Sequence, residues 1–131
     1  MTGGIIHVVA AVIERDGLVL IGQRKSDESF ALKWEFPGGK VEPGEEPRVA
    51  LARELREELA IEAVIGEEIT RYPYQYPGRA RVELIFYRVL EFSGEPRNQA
   101  FERIAWAPPG RLPEYDFLDG DIEFVRRLAA G

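Results

Sequence analysis

Three glutamates, Glu54, Glu57 and Glu58, stand at i, i+3 and i+4 in the segment GGKVEPGEEPRVALARELREELAI, from Gly38 to Ile61. On a helix those spacings put all three on one face. Carboxylates that close repel one another, so a positive partner belongs among them. A hard divalent cation, which prefers oxygen ligands, is the simplest such partner. The substrate class suited to that site is a phosphate ester or anhydride. Gly38-Gly39 beside them permits a tight turn that brings backbone close to a ligand. Glu45 and Arg53 are spaced to tie the preceding loop to the helix. Spacing alone leaves another reading open, a solvated acidic face laced with arginines.

The elements that must position these residues follow from pattern. Residues 4–14 are apolar and β-branched and predict a strand. Arg15-Asp16-Gly17 supplies a hairpin turn, and residues 18–24 return. Residues 25–33 form a polar loop, Trp34 to Phe36 a short extended piece, and Pro37-Gly38-Gly39 a turn. Pro47 suits the first turn of a helix that runs to about Leu59. Its apolar stripe is Leu51, Ala52, Leu55 and Leu59, away from the carboxylates. Strands are expected over 63–73, 80–91 and 102–107, with the loop YQYPGR between the first two. A C-terminal helix starts near Asp119 or Asp121, where a carboxylate suits the helix dipole. Strands and helices mix without a regular βαβ repeat, which predicts α+β or a mixed-sheet sandwich, not a doubly wound sheet.

Composition narrows the class. A chain of 131 residues, 45% hydrophobic, fits one domain spanning 1–131. It has no cysteine, so disulfides and thiolate chemistry are excluded and a reducing, cytoplasmic setting is expected. No apolar run approaches the roughly 20 residues that span a bilayer. The start, MTGGIIHVVAAVIERDG, lacks a basic n-region and predicts no signal peptide. A net charge of −6 argues against a nucleic-acid polymer as partner. It leaves room for a small polyanion, since a metal and a few placed arginines reverse the local field.

The spacing of Gly39, Glu45, Arg53, Glu54, Leu55, Glu57, Glu58 and Ile61 resembles the signature of the Nudix hydrolases. That signature runs Gly, five residues, Glu, seven residues, then Arg-Glu-apolar-x-Glu-Glu-x-Gly-apolar. Ala60 departs from it, standing where the family has glycine. WEFPGGK upstream, and SGEP followed by Trp106, are similar to the MutT-like branch. The resemblance implies an α/β/α sandwich with a mixed central sheet. It also implies metal-dependent hydrolysis of a nucleoside diphosphate linked to another group, with Mg²⁺ or Mn²⁺ as cofactor. A nucleoside triphosphate cleaved to monophosphate and pyrophosphate is the expected case. The substrate would be a CTP-type or modified pyrimidine nucleotide, then oxidised dGTP. A nucleotide sugar or dinucleotide polyphosphate hydrolase and a nucleotide-sensing domain are the alternatives. The working state is monomer or homodimer.

By position, the resemblance implies metal ligands among Glu57, Glu58, Glu54 and the Gly38 carbonyl. Glu54 would orient or deprotonate the attacking water. Arg53, with Glu45, would hold loop and helix in register. The family's further acid, before the strand that carries Trp106, falls at Ala100, and Glu102 is the nearest carboxylate to replace it. For substrate, the expected contacts are Arg24, Phe36, Lys40, Tyr76, Arg79 and Asp121, with Asp119 competing with Asp121. An ionised Asp121 would only accept hydrogen bonds, which suits the amino group of cytosine. Oxidised-guanine-cleaning members carry asparagine there, and CTP-cleaving members carry aspartate. His7 reads as structural.

Overall fold

The computed structural model describes residues 4–131. Met1 to Gly3, which begin the expected domain and the stretch read for a signal peptide, lie outside the described residues. In chain order the elements are β1 (Ile6–Val12), β2 (Glu14–Arg15), β3 (Leu18–Gln23), β4 (Trp34–Glu35), β5 (Gly38–Lys40), α1 (Pro47–Leu59), β6 (Glu62–Gln75), β7 (Arg81–Ser93) and β8 (Arg103–Ala107). Two 3-10 helices, Pro109–Glu114 and Asp119–Asp121, lead into α2 (Ile122–Ala130).

One sheet has the order β5-β1-β7-β6, with β1 and β7 parallel and the outer pairings antiparallel. A second is built on β3, which pairs with β2, β4 and β8. Alternation along the central strands explains the layering. Val9, Ala11 and Ile13, with Leu20, Ile85 and Tyr87, pack with Leu51, Leu55 and Leu59 of α1. Ala10 and Val12, with Val19, Ile21, Leu84 and Phe86, pack on the other side with Phe124 and Val125 of α2. Where β1 and β7 are covered on both faces, at Val9–Val12 and Leu84–Tyr87, their sequences run continuously apolar and do not alternate. The result is a mixed α+β fold with a helix on either side of the sheet.

Helix α1 forms where Pro47 at its first turn meets a capping side chain. Glu46 accepts hydrogen bonds from the Arg48 and Val49 amides at 2.9 and 3.2 Å. The helix ends at Ala60, in the left-handed region at φ 59°, whose N–H donates to the Arg56 carbonyl at 3.1 Å. Its buried face is Ala50, Leu51, Leu55 and Leu59; Ala52, expected in the stripe, is partly exposed and Ala50 takes its place.

Other boundaries also differ from expectation. Pro37 to Gly39 is not a free turn. Gly38–Lys40 pairs with β1 as β5, and a Cβ on Gly38 would run into the Val9 carbonyl. The hairpin of β6 and β7 extends further than predicted on both arms, leaving only residues 76–80 at its tip. The proline-rich stretch Pro109–Glu114 folds as a 3-10 helix that no periodicity announced.

Candidate active site

Arg53 is the hub of the carboxylate helix. Its Nε and Nη2 grip Glu45 at 2.9 and 3.0 Å, a bidentate pair that joins the loop before α1 to the helix itself. Its Nη1 reaches Glu54 at 3.3 Å and Glu57 at 3.2 Å, and Nη2 reaches the Lys40 carbonyl at 3.4 Å. One guanidinium therefore hydrogen-bonds three carboxylates and β5, with a fourth carboxylate, Glu42, at 3.8 Å.

The three glutamates of the helix do not share one environment. Glu57 is 59% exposed and turned to Arg53. Glu54 is 17% exposed and lies over Gly39, where an added Cβ would stand 2.5 Å from its carboxylate. Glu58 turns inward, and its Oε1 accepts the Gly38 amide at 3.1 Å. Burial pushes the Glu58 carboxyl up to about 9, and the neighbouring Glu35 and Glu54 add to the shift. Burial also raises Glu54, against the pull of Arg53.

Glu35 is the acid that spacing did not reveal. It lies on β4, between Trp34 and Phe36, whose rings are buried in the core beside α2. Alternation points Glu35 the other way, toward Glu58. Burial lifts its carboxyl to about 7, opposed by Arg24 at 3.2 Å. A lone acid between two aromatic residues, just ahead of the glycines, was the available signal.

Glu35 and Glu58, but not Glu54 or Glu57, border a cavity of about 610 Å³. Glu35, Gly38, Gly39 and Glu58 form one part of its wall, and Asp121 another. Asp121 is buried, and its carboxyl is pushed up to about 8 by burial and by Glu35. It occupies the cap position of α2 but makes no side-chain capping bond. Its carboxyl is therefore not spent on the helix end. Asp119, its competitor, is exposed and does not line the cavity.

The remaining expected residues divide. Lys40 is exposed on the cavity wall. Arg24 lines the cavity, yet its Nε holds the Ser29 carbonyl at 2.7 Å and its Nη1 holds Glu35. Phe36 touches the cavity but is a core ring, packed on Phe86, Phe117 and Phe124. The Arg79 guanidinium sits 4.6 Å from the ring centre of Phe30, and Phe30 lies 4.9 Å from Tyr76. Phe30, unforeseen from sequence, thereby joins the loop 25–33 to the hairpin tip across the cavity mouth. Glu102 is exposed and lies outside the cavity wall, whereas Ala100 is part of it. Gln99 caps the end of α1 through the Glu57 carbonyl at 2.9 Å. His7 lies 3.3 Å from Glu83, away from the carboxylates.

Among the described residues, no three acidic or histidine side chains are gathered into a ready-made metal cage. The donor set nevertheless fits a hard divalent ion. Glu35, Glu54 and Glu58 offer only oxygens, and each is raised chiefly by burial. A cation would reverse that shift.

The NUDIX domain model matches residues 5–128 of this chain. The chain belongs to the Nudix family. Among characterised relatives, it is 41% identical to the CTP pyrophosphohydrolase of Escherichia coli K12, over 95% of this chain and 92% of that protein. It is 36% identical to the 8-oxo-dGTP diphosphatase of Haemophilus influenzae, over 95% and 91%. The solution structure of the E. coli ORF135 protein superposes with a TM-score of 0.85 at 40% identity, covering 96% of this chain and 89% of that one. The chain is thus a Nudix hydrolase of the MutT-like branch, a family that generally uses divalent metals. No helix among the described residues is long and apolar enough to cross a membrane.

Proposed function

We propose that this Nudix hydrolase cleaves a nucleoside triphosphate to the monophosphate and pyrophosphate, with Mg²⁺ or Mn²⁺. The observation that carries the reading is the placement of Glu58 and Asp121 on the wall of one cavity. An acidic centre for phosphate chemistry and a buried polar group for a base share a single chamber.

Glu58, Glu57, Glu54 and the Gly38 carbonyl would hold the metal, with Glu35 beside Glu58 adding a further oxygen donor. Once bound, the ion neutralises phosphate oxygens and makes water a better nucleophile. Glu54, fixed between Arg53 and Gly39, orients the attacking water and receives its proton. Arg53 holds Glu54 and Glu57 in register with Glu45. Lys40 meets a phosphate oxygen at the mouth. Tyr76 and Arg79 close the base side, with Phe30 between them. Glu102 has no part in this arrangement.

Asp121 reads the base edge. Burial and Glu35 raise its carboxyl to about 8, against a hydrogen bond from the Phe36 amide, and the neutral acid so favoured both donates and accepts. An ionised Asp121 would keep the acceptor-only role expected from the sequence. A neutral carboxyl matches cytosine, taking a hydrogen bond from N4 and giving one to N3. Cytosine nucleotides are therefore the first substrate candidates, in line with the similarity to the CTP pyrophosphohydrolase of E. coli, and oxidised dGTP the second.

The test is a pyrophosphate-release screen over ribo- and deoxynucleoside triphosphates, oxidised nucleotides, nucleotide sugars and dinucleotide polyphosphates. Glu57→Gln and Glu58→Gln should lower turnover on every substrate, and Asp121→Asn should reorder the bases. Full activity in excess chelator, or tight nucleotide binding without hydrolysis, overturns the reading.

A further inference from the structure

Asp121 does not hold its position alone. The residue before it, Gly120, has both of its main-chain polar groups taken by tyrosine hydroxyls. Tyr72 donates its hydroxyl to the Gly120 carbonyl at 2.6 Å. The Gly120 N–H in turn donates to the Tyr76 hydroxyl at 2.9 Å. Tyr72 lies on β6 and Tyr76 just past its end, at i and i+4, so their hydroxyls reach the two peptide units that flank the Gly120 Cα.

Only glycine fits between them. A Cβ on Gly120 would stand 2.6 Å from the Tyr76 hydroxyl and 3.2 Å from the Leu84 side chain. The Asp121 amide is held as well, by the Leu118 carbonyl at 2.9 Å. Backbone is thus pinned on the N-terminal side of the Asp121 Cα, and on its other side the Ile122 N–H donates to the Asp119 carbonyl. The side chain that leaves this point has no capping bond of its own and opens on the cavity.

From this geometry we infer that Tyr72 and Tyr76 are positioning residues for base selection, acting on Asp121 through a clasp on Gly120. The inference rests on the reading of Asp121 as the base-edge contact. A hydrogen bond to a base edge tolerates only a few tenths of an ångström, so a carboxyl that discriminates bases needs a fixed root. Tyr72 is the informative member of the pair. It does not line the cavity, so its hydroxyl can reach a bound base only by way of Gly120. Tyr76 lines the cavity and contacts Phe30, which joins the clasp to the outer wall.

The experiment measures kcat and KM for the preferred nucleotide and for a disfavoured base, in the full chain with Mg²⁺. Tyr72→Phe removes one hydroxyl and leaves the ring on Phe86. The expected result is a loss of about fivefold in discrimination, the size of one net hydrogen bond, carried by KM while kcat changes much less. Gly120→Ala should act in the same direction. In a cycle with Asp121→Asn, the double variant should show no loss of discrimination beyond that of Asp121→Asn alone. Additive effects would show that Tyr72 acts elsewhere, and an equal loss on all bases would reduce it to a structural role. Unchanged discrimination in Tyr72→Phe, alongside a shift in Asp121→Asn, overturns the clasp and leaves the base-reading proposal standing. If Asp121→Asn itself leaves the ranking unchanged, the base-reading proposal fails and the clasp falls with it.

Discussion

Gly39 lies directly beneath the Glu54 carboxylate, so close that a methyl group there would stand 2.5 Å from the carboxylate carbon. The first glycine of the motif is therefore a spacer for the proposed general base, beyond any role in turning the chain. Gly39→Ala should push Glu54 off its position between β5 and Arg53. A displacement of about 1 Å at a reacting group costs on the order of a hundredfold in rate. We expect that loss in kcat, with the cooperative unfolding transition retained. Wild-type turnover in this variant would separate Glu54 from the chemistry.

Metal binding should release protons. Burial holds Glu58 at about 9 and Glu35 at about 7, so at pH 7 the cation-free site retains protons that a bound cation displaces. Apparent Mg²⁺ affinity should rise with pH between about 6 and 9. Calorimetry in two buffers of different ionisation enthalpy reads the proton count directly. Glu58→Gln should lower both the proton release and the affinity; proton release unchanged in that variant would place the titration elsewhere.

The same groups set the stability of the metal-free protein. Glu35, Glu58 and Asp121 all have folded-state values raised above the ordinary carboxylate range. Between the ordinary and raised values the folded chain binds more protons than the unfolded chain, so stability falls as pH rises. The contribution is full below pH 4 and is lost as pH passes through about 7 to 9. Melting in chelator should show Tm declining across pH 6–9, with the decline reduced in Asp121→Asn and Glu58→Gln. A Tm rising over that window would contradict the burial of these acids.

Ala60 caps α1 in the left-handed region at φ 59°, which a Cβ disfavours by about 1 kcal/mol relative to glycine. Ala60→Gly should therefore stabilise the protein by up to that amount, visible as a higher urea midpoint with unchanged m. The carboxylates lie a turn away from the cap or face β5, so turnover should be preserved. A large fall in activity would mean that the cap geometry tunes Glu57 or Glu58.

Local features were legible in the sequence because their causes are local. Pro47 and the leucine spacing mark α1 almost to the residue. The gaps between Gly39, Glu45, Arg53 and the glutamates carry the family resemblance. Long-range placement was not legible. Nothing in KSDESFALK says that Phe30 will meet Arg79, because that contact joins two loops separated by much of the chain. Asp121 stood out as a base contact only through the family resemblance; by pattern alone it is a helix-start acid, because aspartate is common there. Glu102 is the nearest acid in sequence to the family's loop position, and its exposure outside the cavity wall could not be read from that spacing.

By itself, then, the sequence determined the helix, its capping, the apolar strands covered on both faces, and the set of oxygen donors that defines the reaction class. These depend on residue type and short spacing. Only the tertiary structure decided which donors share an environment. Glu57 stays in water on Arg53, while Glu58 is drawn inward to the Gly38 amide beside Glu35. It also decided that Asp121 is buried on the cavity wall with a raised carboxyl, next to a glycine that Tyr72 of β6 and Tyr76 just beyond it hold. Burial sets the charge of these acids, and burial belongs to the packed chain and not to any segment of it.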